Sequence, residues 1–413
     1  MRLPLFIALR LFNAKKDNSR ISRIAIRVAT IGVALGLTVM LVSLCIFYGY
    51  KYEIQSKITG LGGHLIIQSP NMQYDGTTSP ISFSEKQKNF LQAKNPEIKT
   101  IQKYSLINGI FKTKDSFYGL SFKGVASNYD FNFIKAHLVD GAIPVIRENE
   151  SSKPVIISQN VAQTLHLSVG DKVFSYFFED GIRIRRLTIV AIYKTNLSVF
   201  DNHTAFVPII FVKKLNKWAT DTCSGVEIVL RDADCMLQVQ KKCSSILSSE
   251  FKESNYTVTN IKEQYPQLFN WLQLMNMDVC VILILMFLVA GFTMISGLLI
   301  LILENIRTIG ILKTLGSTDG MIRKTFIYYS LLVLVRSMIW GNILSLVIVG
   351  LQSQFHLVGL DPDKYYVEYV PININWLSWL ILNVGTFFLT LLILIIPSLL
   401  VTRISPARTI RIE

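Results

Sequence analysis

Four long apolar runs divide the chain into segments of membrane length and polar segments. The runs cover residues 25–50, 273–303, 321–350 and 374–401. Each can cross a bilayer as an α-helix, which requires about 20 residues. The polar stretch 51–272 instead contains short β-branched runs bounded by Gly, Pro, Asn and Asp, a pattern typical of strands. We therefore predict an α-helical membrane protein with four transmembrane helices and a large α+β domain inserted between helices 1 and 2.

The distribution of charge predicts the orientation in the membrane. Lys and Arg exceed acidic residues in segment 1–24, in residues 304–324 and in the tail 402–413, whereas the loop 351–373 is acidic. Because positively charged flanks remain in the cytoplasm, both termini and the 304–320 loop are expected there. The α+β domain is then extracytoplasmic, as is loop 351–373. This anchoring explains the net charge of +14, so no nucleic-acid partner is expected.

The start of the chain leaves two interpretations open. LPLFIALRLF (residues 3–12) is apolar with Arg10 inserted and has a Pro near its beginning. It is either an amphipathic helix lying flat in the cytoplasmic interface or an extension of the first span.

Sequence motifs for catalysis or cofactor binding are absent. The sequence has no G-x-x-x-x-G-K-[ST], G-x-S-x-G or H-E-x-x-H, and its five histidines have no metal-ligand spacing. We therefore predict no catalytic residue, no metal site and no cofactor bound by this chain. Among Cys223, Cys235 and Cys243, in the polar region, one disulfide remains open as an alternative.

A short apolar stripe follows the second run, in ENIRTIGILKTLGSTDG (304–320). Ile309, Leu312 and Leu315 are spaced by three, which places them along one face of a helix. An apolar stripe in water needs a protein groove to cover it. The pattern therefore predicts a short helix that docks on a partner; the alternative is a loop that returns into the bilayer.

Small residues predict turns and close helix contacts. Gly316 fits the position after a helix C-cap, and Ser317 fits the N-cap of the following helix. Small residues spaced by four let membrane helices approach closely. The residues predicted to pack helices together are Gly32 and Gly36 in the first span, and Ser337, Gly341 and Ser345 in the third.

Arg336 lies inside the third apolar run, where a charge costs at least about 2.5–3.5 kcal/mol. Two roles are open. In one, Arg336 faces the helix bundle and bonds to backbone carbonyls or to a neighbour such as Asn342 or Asn383. In the other, it acts in gating or contacts lipid headgroups.

Residues 304–322 resemble the signature that follows the second span in ABC-transporter permeases of the FtsX/MacB type. Thr308 departs from it, because that family commonly has an acidic residue there. The resemblance implies coupling to an ATPase through the matching residues, which are Ile309, Gly310, Leu312, Lys313, Leu315 and Gly316.

Other stretches are similar to the lipoprotein-releasing LolC/LolE family and extend over almost the whole chain. They are YGYKYEIQSKITGLGGHLII (48–67), SVGDKV (168–173), RRLTIVAIYKTNLSVFDNHTAFVPI (185–209) and PSLLVTRISPARTIRIE (397–413). The family's carrier-binding arm is a loop in the hairpin that here reads FSYFFEDGIRIRR (174–186). That hairpin is short in this chain, so the resemblance leaves carrier binding open.

The resemblance implies a multi-pass protein of the bacterial inner membrane. Its partners would be a cytoplasmic ABC ATPase homodimer that binds ATP and Mg²⁺, a second permease copy or paralogue, a lipoprotein substrate and a periplasmic carrier. Spans 1 and 2 would line a cavity for the acyl chains. The residues that could line it are Val39, Val42, Ile46, Phe47, Leu283, Met286, Phe287 and Met294.

Two alternative functions come from the same superfamily. One is an FtsX-like, non-transporting regulator of a cell-wall hydrolase, which usually has a smaller outer domain than the insert here. The other is a MacB-like efflux permease, which in many members carries a fused ATPase domain that this chain lacks.

Overall fold

The computed structural model describes residues 3–13, 20–70, 79–114, 116–144, 153–178, 181–251 and 256–395. The chain forms two compact units. The helical unit comprises Met1–Tyr52, Trp271–Gly359 and Tyr369–Glu413, and the sheet unit comprises Glu53–Asn270 and Leu360–Glu368.

The helices of the described residues are numbered in chain order. They are α1 (Leu3–Asn13), α2 (Arg20–Gly62), α3 (Glu85–Lys94), α4 (Asn132–Ala136), α5 (Gln159–Leu165), α6 (Ser198–Asp201), α7 (Ile209–Asn216), α8 (Met236–Glu250), α9 (Ile261–Gln264), α10 (Pro266–Glu304), α11 (Ile306–Thr314), α12 (Asp319–Phe355), α13 (Pro362–Tyr365) and α14 (Trp376–Ile393).

The strands are numbered in the same way. They are β1 (Leu65–Gln68), β2 (Ile81–Ser82), β3 (Ile98–Lys112), β4 (Phe117–Val125), β5 (Leu138–Gly141), β6 (Pro154–Ser158), β7 (Lys172–Phe177), β8 (Arg183–Tyr193), β9 (Thr204–Pro208), β10 (Thr222–Cys223), β11 (Gly225–Leu230) and β12 (Thr257–Asn260).

Four of these helices are long and apolar enough to cross a membrane: α2 from Arg27 onward, α10, α12 and α14. The first three extend beyond the apolar runs because helical backbone continues through polar residues until a breaker intervenes. Gly63, with φ +70°, is the residue that ends the helical backbone directly after α2. Pro266 occupies the first position of α10, where its missing N–H costs nothing.

Helix α1 packs on α12, with Ala8 fully buried in a cluster that includes Phe326 and Tyr329. The residues that follow α1, 14–19, lie outside the described part of the chain, and so does the tail 402–413.

The sheet unit is built around one long strand, β3. Its first half pairs with β11, which continues to β1 and β12. Its second half pairs with β7, and β4 runs along its other edge. Six strands then close into a ring of pairings in the order β3, β4, β9, β6, β8, β7 and back to β3.

Aromatic side chains fill the ring. Phe111, Phe122 and Phe177 are fully buried and stack edge to face, with ring centroids 5.2 and 5.1 Å apart. Helices α5 and α7 contribute Val161 and Val212 to the same core. Alternate strand residues point inward, which is the period-2 pattern that the sequence predicted for strands.

The architecture matches the predicted fold: four helices of membrane length, with a mixed α/β unit between the first two. The open alternative of a disulfide does not occur, because Cys223, Cys235 and Cys243 are free thiols.

Candidate functional site

Helix α11 is the short amphipathic helix between α10 and α12, and its end is fixed by backbone geometry. Gly316 has φ +87°, as the position after the C-cap requires. The Ser317 N–H donates to Leu312 O at 3.0 Å. The Gly316 N–H donates to Lys313 O, also at 3.0 Å, which completes a Schellman motif.

The apolar residues of α11 face two directions. Ile309 is 1% exposed and belongs to the core of the helical unit, and Leu312 packs partly against that core. Ile311 is 51% exposed and Leu315 is 77% exposed. Residues four apart share a helical face, so Ile311 and Leu315 form one exposed apolar patch. We name these two residues the α11 patch.

The turn after α11 differs from the prediction by one residue. Thr318, not Ser317, precedes the first residue of α12 and has extended backbone angles. Ser317 N–H is already bound to α11, so the chain needs one more residue before the next helix begins. A salt bridge of 2.8 Å between Lys313 and Asp319 joins the two helices across the turn.

The small residues named from the sequence lie at contacts between the long helices. A Cβ on Gly32 of α2 would lie 2.6 Å from Thr293 of α10, and one on Gly36 would lie 3.6 Å from Ala290.

On α12, Ser337, Gly341 and Ser345 are all buried. A Cβ on Gly341 would lie 2.9 Å from the Ala34 carbonyl of α2. The hydroxyl of Thr38 donates to the Gly341 carbonyl at 3.1 Å, so the two backbones are almost in contact.

The residues predicted to line an acyl cavity belong to two different core clusters or lie at the surface. Four of them, Val42, Leu283, Met286 and Phe287, pack around one core cluster. Met294 is 3% exposed and lines a separate crevice with a volume of about 20 Å³. Val39 is exposed, and Ile46 and Phe47 are half-buried.

Arg336 is exposed on α12 and does not use the two asparagines named from the sequence. The Asn342 amide donates to Asn383 at 2.7 Å, and the indole of Trp379 donates to Asn342 at 2.8 Å. These three side chains form their own polar link between α12 and α14. Both roles considered for Arg336 therefore stay open.

The sheet unit contains a buried ion pair that the sequence pattern did not predict. Lys123 of β4 and Glu227 of β11 are 2.5 Å apart and almost completely buried. Lys123 also donates to the Leu61 carbonyl at 2.7 Å and to the Tyr129 hydroxyl at 3.3 Å. Burial raises the pKa of the Glu227 carboxyl, and the ammonium of Lys123 opposes that rise.

The bond to Leu61 joins the sheet to the end of α2. Leu61 is the penultimate residue of α2, where carbonyls lack helical partners and a cation is favourable. Beside the pair lies a cavity of about 170 Å³, lined in part by Gln68, Tyr104 and Tyr265. The sequence signal for this buried pair is a charged residue inside a strand of otherwise apolar pattern, as in SFKGV and GVEIVL.

A second polar network binds residues of the 351–373 connection within the sheet unit. Glu368 accepts a hydrogen bond from Lys194 at 2.8 Å, and Lys57 donates to the Tyr366 carbonyl at 2.9 Å. Nearby Asp201 is buried and accepts bonds from the hydroxyl and N–H of Thr195 at 2.7 and 3.0 Å. Burial raises the pKa of Asp201, and these hydrogen bonds oppose the rise.

Comparison with known protein families matches two parts of the chain. Residues 28–246 match the MacB-like periplasmic core domain, and residues 280–406 match the FtsX-like permease C-terminal domain. The first match includes the sheet unit up to α8. The second includes α11, α12 and α14.

Curated relatives match along the whole chain. The lipoprotein-releasing system transmembrane protein LolE of Haemophilus influenzae is 22% identical over 99% of each chain. LolC of Xylella fastidiosa strain 9a5c is 20% identical over 100% of this chain and 99% of the relative. LolC of Neisseria meningitidis serogroup B is 21% identical with the same coverage.

Two solved extracytoplasmic structures are similar to about half of the chain. The periplasmic region of MacB from Actinobacillus actinomycetemcomitans is 13% identical and covers 52% of this chain and 96% of its own, with a TM-score of 0.37. The extracellular domain of YknZ from Gram-positive bacteria is 19% identical and covers 48% of this chain and 98% of its own, with a TM-score of 0.34.

Proposed function

Because the chain belongs to the family of membrane permeases with a MacB-like periplasmic core domain and an FtsX-like C-terminal domain, we propose that it is the permease subunit of an ABC transporter that releases lipoproteins. Its substrates would be lipid-anchored proteins in the outer leaflet of the inner membrane. The observation that supports this role is the full-length similarity to lipoprotein-releasing transmembrane proteins.

Under this proposal, ATP hydrolysis occurs in a separate ATPase dimer, which binds ATP and Mg²⁺. The match to the FtsX-like permease domain implies such a partner. The α11 patch is the surface we assign to that partner, since it exposes apolar side chains on a helix fixed by a glycine turn and a salt bridge. Residues 309, 310, 312 and 313 then support the patch from behind, and Gly316 forms the turn that ends α11.

The acyl chains of the substrate need an apolar cleft. The crevice beside Met294 has a volume of about 20 Å³, which is enough for little more than one water. We therefore propose that a second permease subunit, identical or paralogous, faces α2 and α10 and completes the cleft. Val39, which is exposed, and half-buried Ile46 and Phe47 would contribute this chain's side of it.

The orientation follows from the charge distribution, with both termini and α11 in the cytoplasm and the sheet unit in the periplasm. Single cysteines at Lys114, Lys324 and Lys364, in a chain without its native cysteines, test this arrangement. A membrane-impermeant thiol reagent should label positions 114 and 364 in intact spheroplasts and position 324 only after lysis. Labelling of 324 in intact spheroplasts would contradict the orientation.

Depletion of the chain in its own bacterium tests the proposed substrate. Lipoproteins destined for the outer membrane should accumulate in the inner-membrane fraction, as measured by fractionation and quantitative mass spectrometry. An unchanged lipoprotein distribution, with loss of cell-wall hydrolase activity at the septum, would replace this role with that of an FtsX-like regulator. Purification of the chain in detergent, followed by mass spectrometry of the co-purified subunits, separates a homodimer from a heterodimer of permeases.

A further inference from the structure

Strand β4 has an open edge where it begins. Its ladder with β9 starts at the pair Ser121 and Thr204. The preceding residues, Phe117–Leu120, pair with β3 on one side. Among the described residues, no strand pairs with them on the other side. We name Phe117–Leu120 the β4 edge.

The backbone groups of residues 117 and 119 point to the open side. The Ser121 N–H donates to His203 O, on the β9 side, at 2.7 Å. The carbonyl of Ser116 faces β3, where it accepts a bond of 2.9 Å from the Thr113 N–H. Backbone groups alternate between the two sides of a strand, so positions 117 and 119 share the direction of Ser121.

The side chains leave room for another strand. Phe117 is 79% exposed, which is unusual for an aromatic residue in a sheet. Gly119 is exposed too, and a Cβ built on it would meet nothing within 4 Å. An unpaired edge with exposed apolar side chains is a template for an added strand.

Aromatic and cationic residues alternate on the outward face beside the β4 edge. The strand registers place Phe117, Lys112, Phe174 and Arg186 in one row across four strands. Arg186 lies 5.8 Å from the Phe174 ring centroid. The Lys112 ammonium also lies 5.7 Å from the ring centroid of Tyr176, two residues further along β7.

The charge around the edge is positive overall. Segments 112–117, 172–186 and 213–217 together contain nine Lys and Arg against three Asp and Glu. The described residues of the row itself include two cations and no carboxylate. A surface of one sign attracts segments of the opposite sign and raises their rate of association.

We propose that the β4 edge takes an added strand from an extended, net-acidic segment of another protein. The N–H and C=O groups of residues 117 and 119 bond to the backbone of that segment. Phe117 and the space over Gly119 take an apolar side chain, and the cations of the row attract the flanking carboxylates. This surface is independent of α11 and does not depend on which substrate the transporter carries.

A pair of substitutions at Gly119 tests the backbone bonds. Gly119→Pro removes an N–H that the β3 ladder does not use, so the strand keeps its fold, whereas Gly119→Ala keeps that N–H. The probe is a fluorescein-labelled peptide of about ten residues with alternating Glu and Val, matched by one with Lys in place of Glu. Binding to the full chain with its ATPase in lipid nanodiscs is followed by fluorescence anisotropy.

We expect the Glu peptide to bind at least about tenfold more tightly than the Lys peptide, and less tightly as salt rises. Gly119→Pro should weaken its binding at least about tenfold, and Gly119→Ala by no more than about twofold. Equal binding to the wild type and to Gly119→Pro would overturn the proposal, and so would equal binding of the two peptides.

Phe117→Glu provides a second test that does not depend on proline. Its side chain is exposed, so the variant should fold, yet it places a carboxylate where the acidic segment must lie. Loss of at least about tenfold in Glu-peptide affinity supports the proposal. Unchanged affinity overturns it. If the peptide does not bind and the chain self-associates through this edge, the occupant is a second copy and the proposal is wrong.

Discussion

Leu315→Asp should release the ATPase without unfolding the permease. Leu315 is 77% exposed, so the folded chain does not need its side chain for packing. Burying a Leu fully is worth about 1.5–3 kcal/mol, and with the half-exposed Ile311 the α11 patch would supply roughly 2–4 kcal/mol to an interface. An aspartate in the same groove also adds the cost of burying a carboxylate.

That magnitude sets the expected measurement. Loss of the Leu315 contact alone, about 1.5–3 kcal/mol, corresponds to a decrease of roughly 10- to 150-fold in the affinity for the ATPase, and the buried carboxylate adds to that loss. The assay is the amount of ATPase that co-purifies per permease in detergent, followed by ATP turnover in lipid discs. Gly320→Asp is the matched control. It adds the same charge in the first turn of α12, where a Cβ meets nothing within 4 Å.

The result that would refute this reasoning is normal ATPase recovery and turnover with Leu315→Asp. Leu312→Asp is not an equivalent test, although the spacing by three predicted that Leu312 would face the ATPase. Leu312 packs partly against the core of the helical unit, so an aspartate there should lower the stability of the permease itself. A lower yield of folded permease with Leu312→Asp, but not with Leu315→Asp, would separate the two sides of α11.

Three further predictions concern the rest of the chain. Glu227→Gln should destabilise the sheet unit by about 3–5 kcal/mol, because it leaves the buried charge of Lys123 unpaired. Thermal unfolding measures the loss of stability, and the double variant with Lys123→Met should recover most of it. Gly341→Ala should destabilise helix packing, whereas Gly350→Ala, with nothing near its Cβ, should stabilise by up to about 1 kcal/mol in the same unfolding assay. Deletion of residues 179–183 should preserve cross-linking to a periplasmic carrier; residues 179 and 180 lie outside the described residues. Loss of the cross-link would show that the hairpin is the carrier-binding arm.

The four apolar helices could be predicted from the sequence because bilayer thickness imposes a minimum length on an uncharged run. Their ends could not be predicted so well. Helix α2 continues for twelve residues past Tyr50, through Lys51, Glu53 and Lys57, because nothing there breaks the backbone until Gly63. Polarity marks the membrane boundary, whereas backbone chemistry marks the end of a helix.

The buried pair of Lys123 and Glu227 shows a different limit. The two residues are distant in sequence and lie on strands that are not neighbours, since β3 separates β4 from β11. Each charge lies within a strand of otherwise apolar pattern, which marks it as unusual but does not identify its partner. Only the sheet order brings them together, and no local pattern encodes that order.

Helix α11 illustrates why periodicity identifies a face but not its neighbour. The spacing of Ile309, Leu312 and Leu315 correctly indicates a helix, but the helical unit covers Ile309 and leaves Leu315 exposed. The helix is therefore apolar on two sides, one joined to α10 and α12 and the other, through the α11 patch, open. A helix of this kind suits the transmission of force: a partner that moves the patch must also move the core residues behind it, because a close-packed interior does not absorb the displacement.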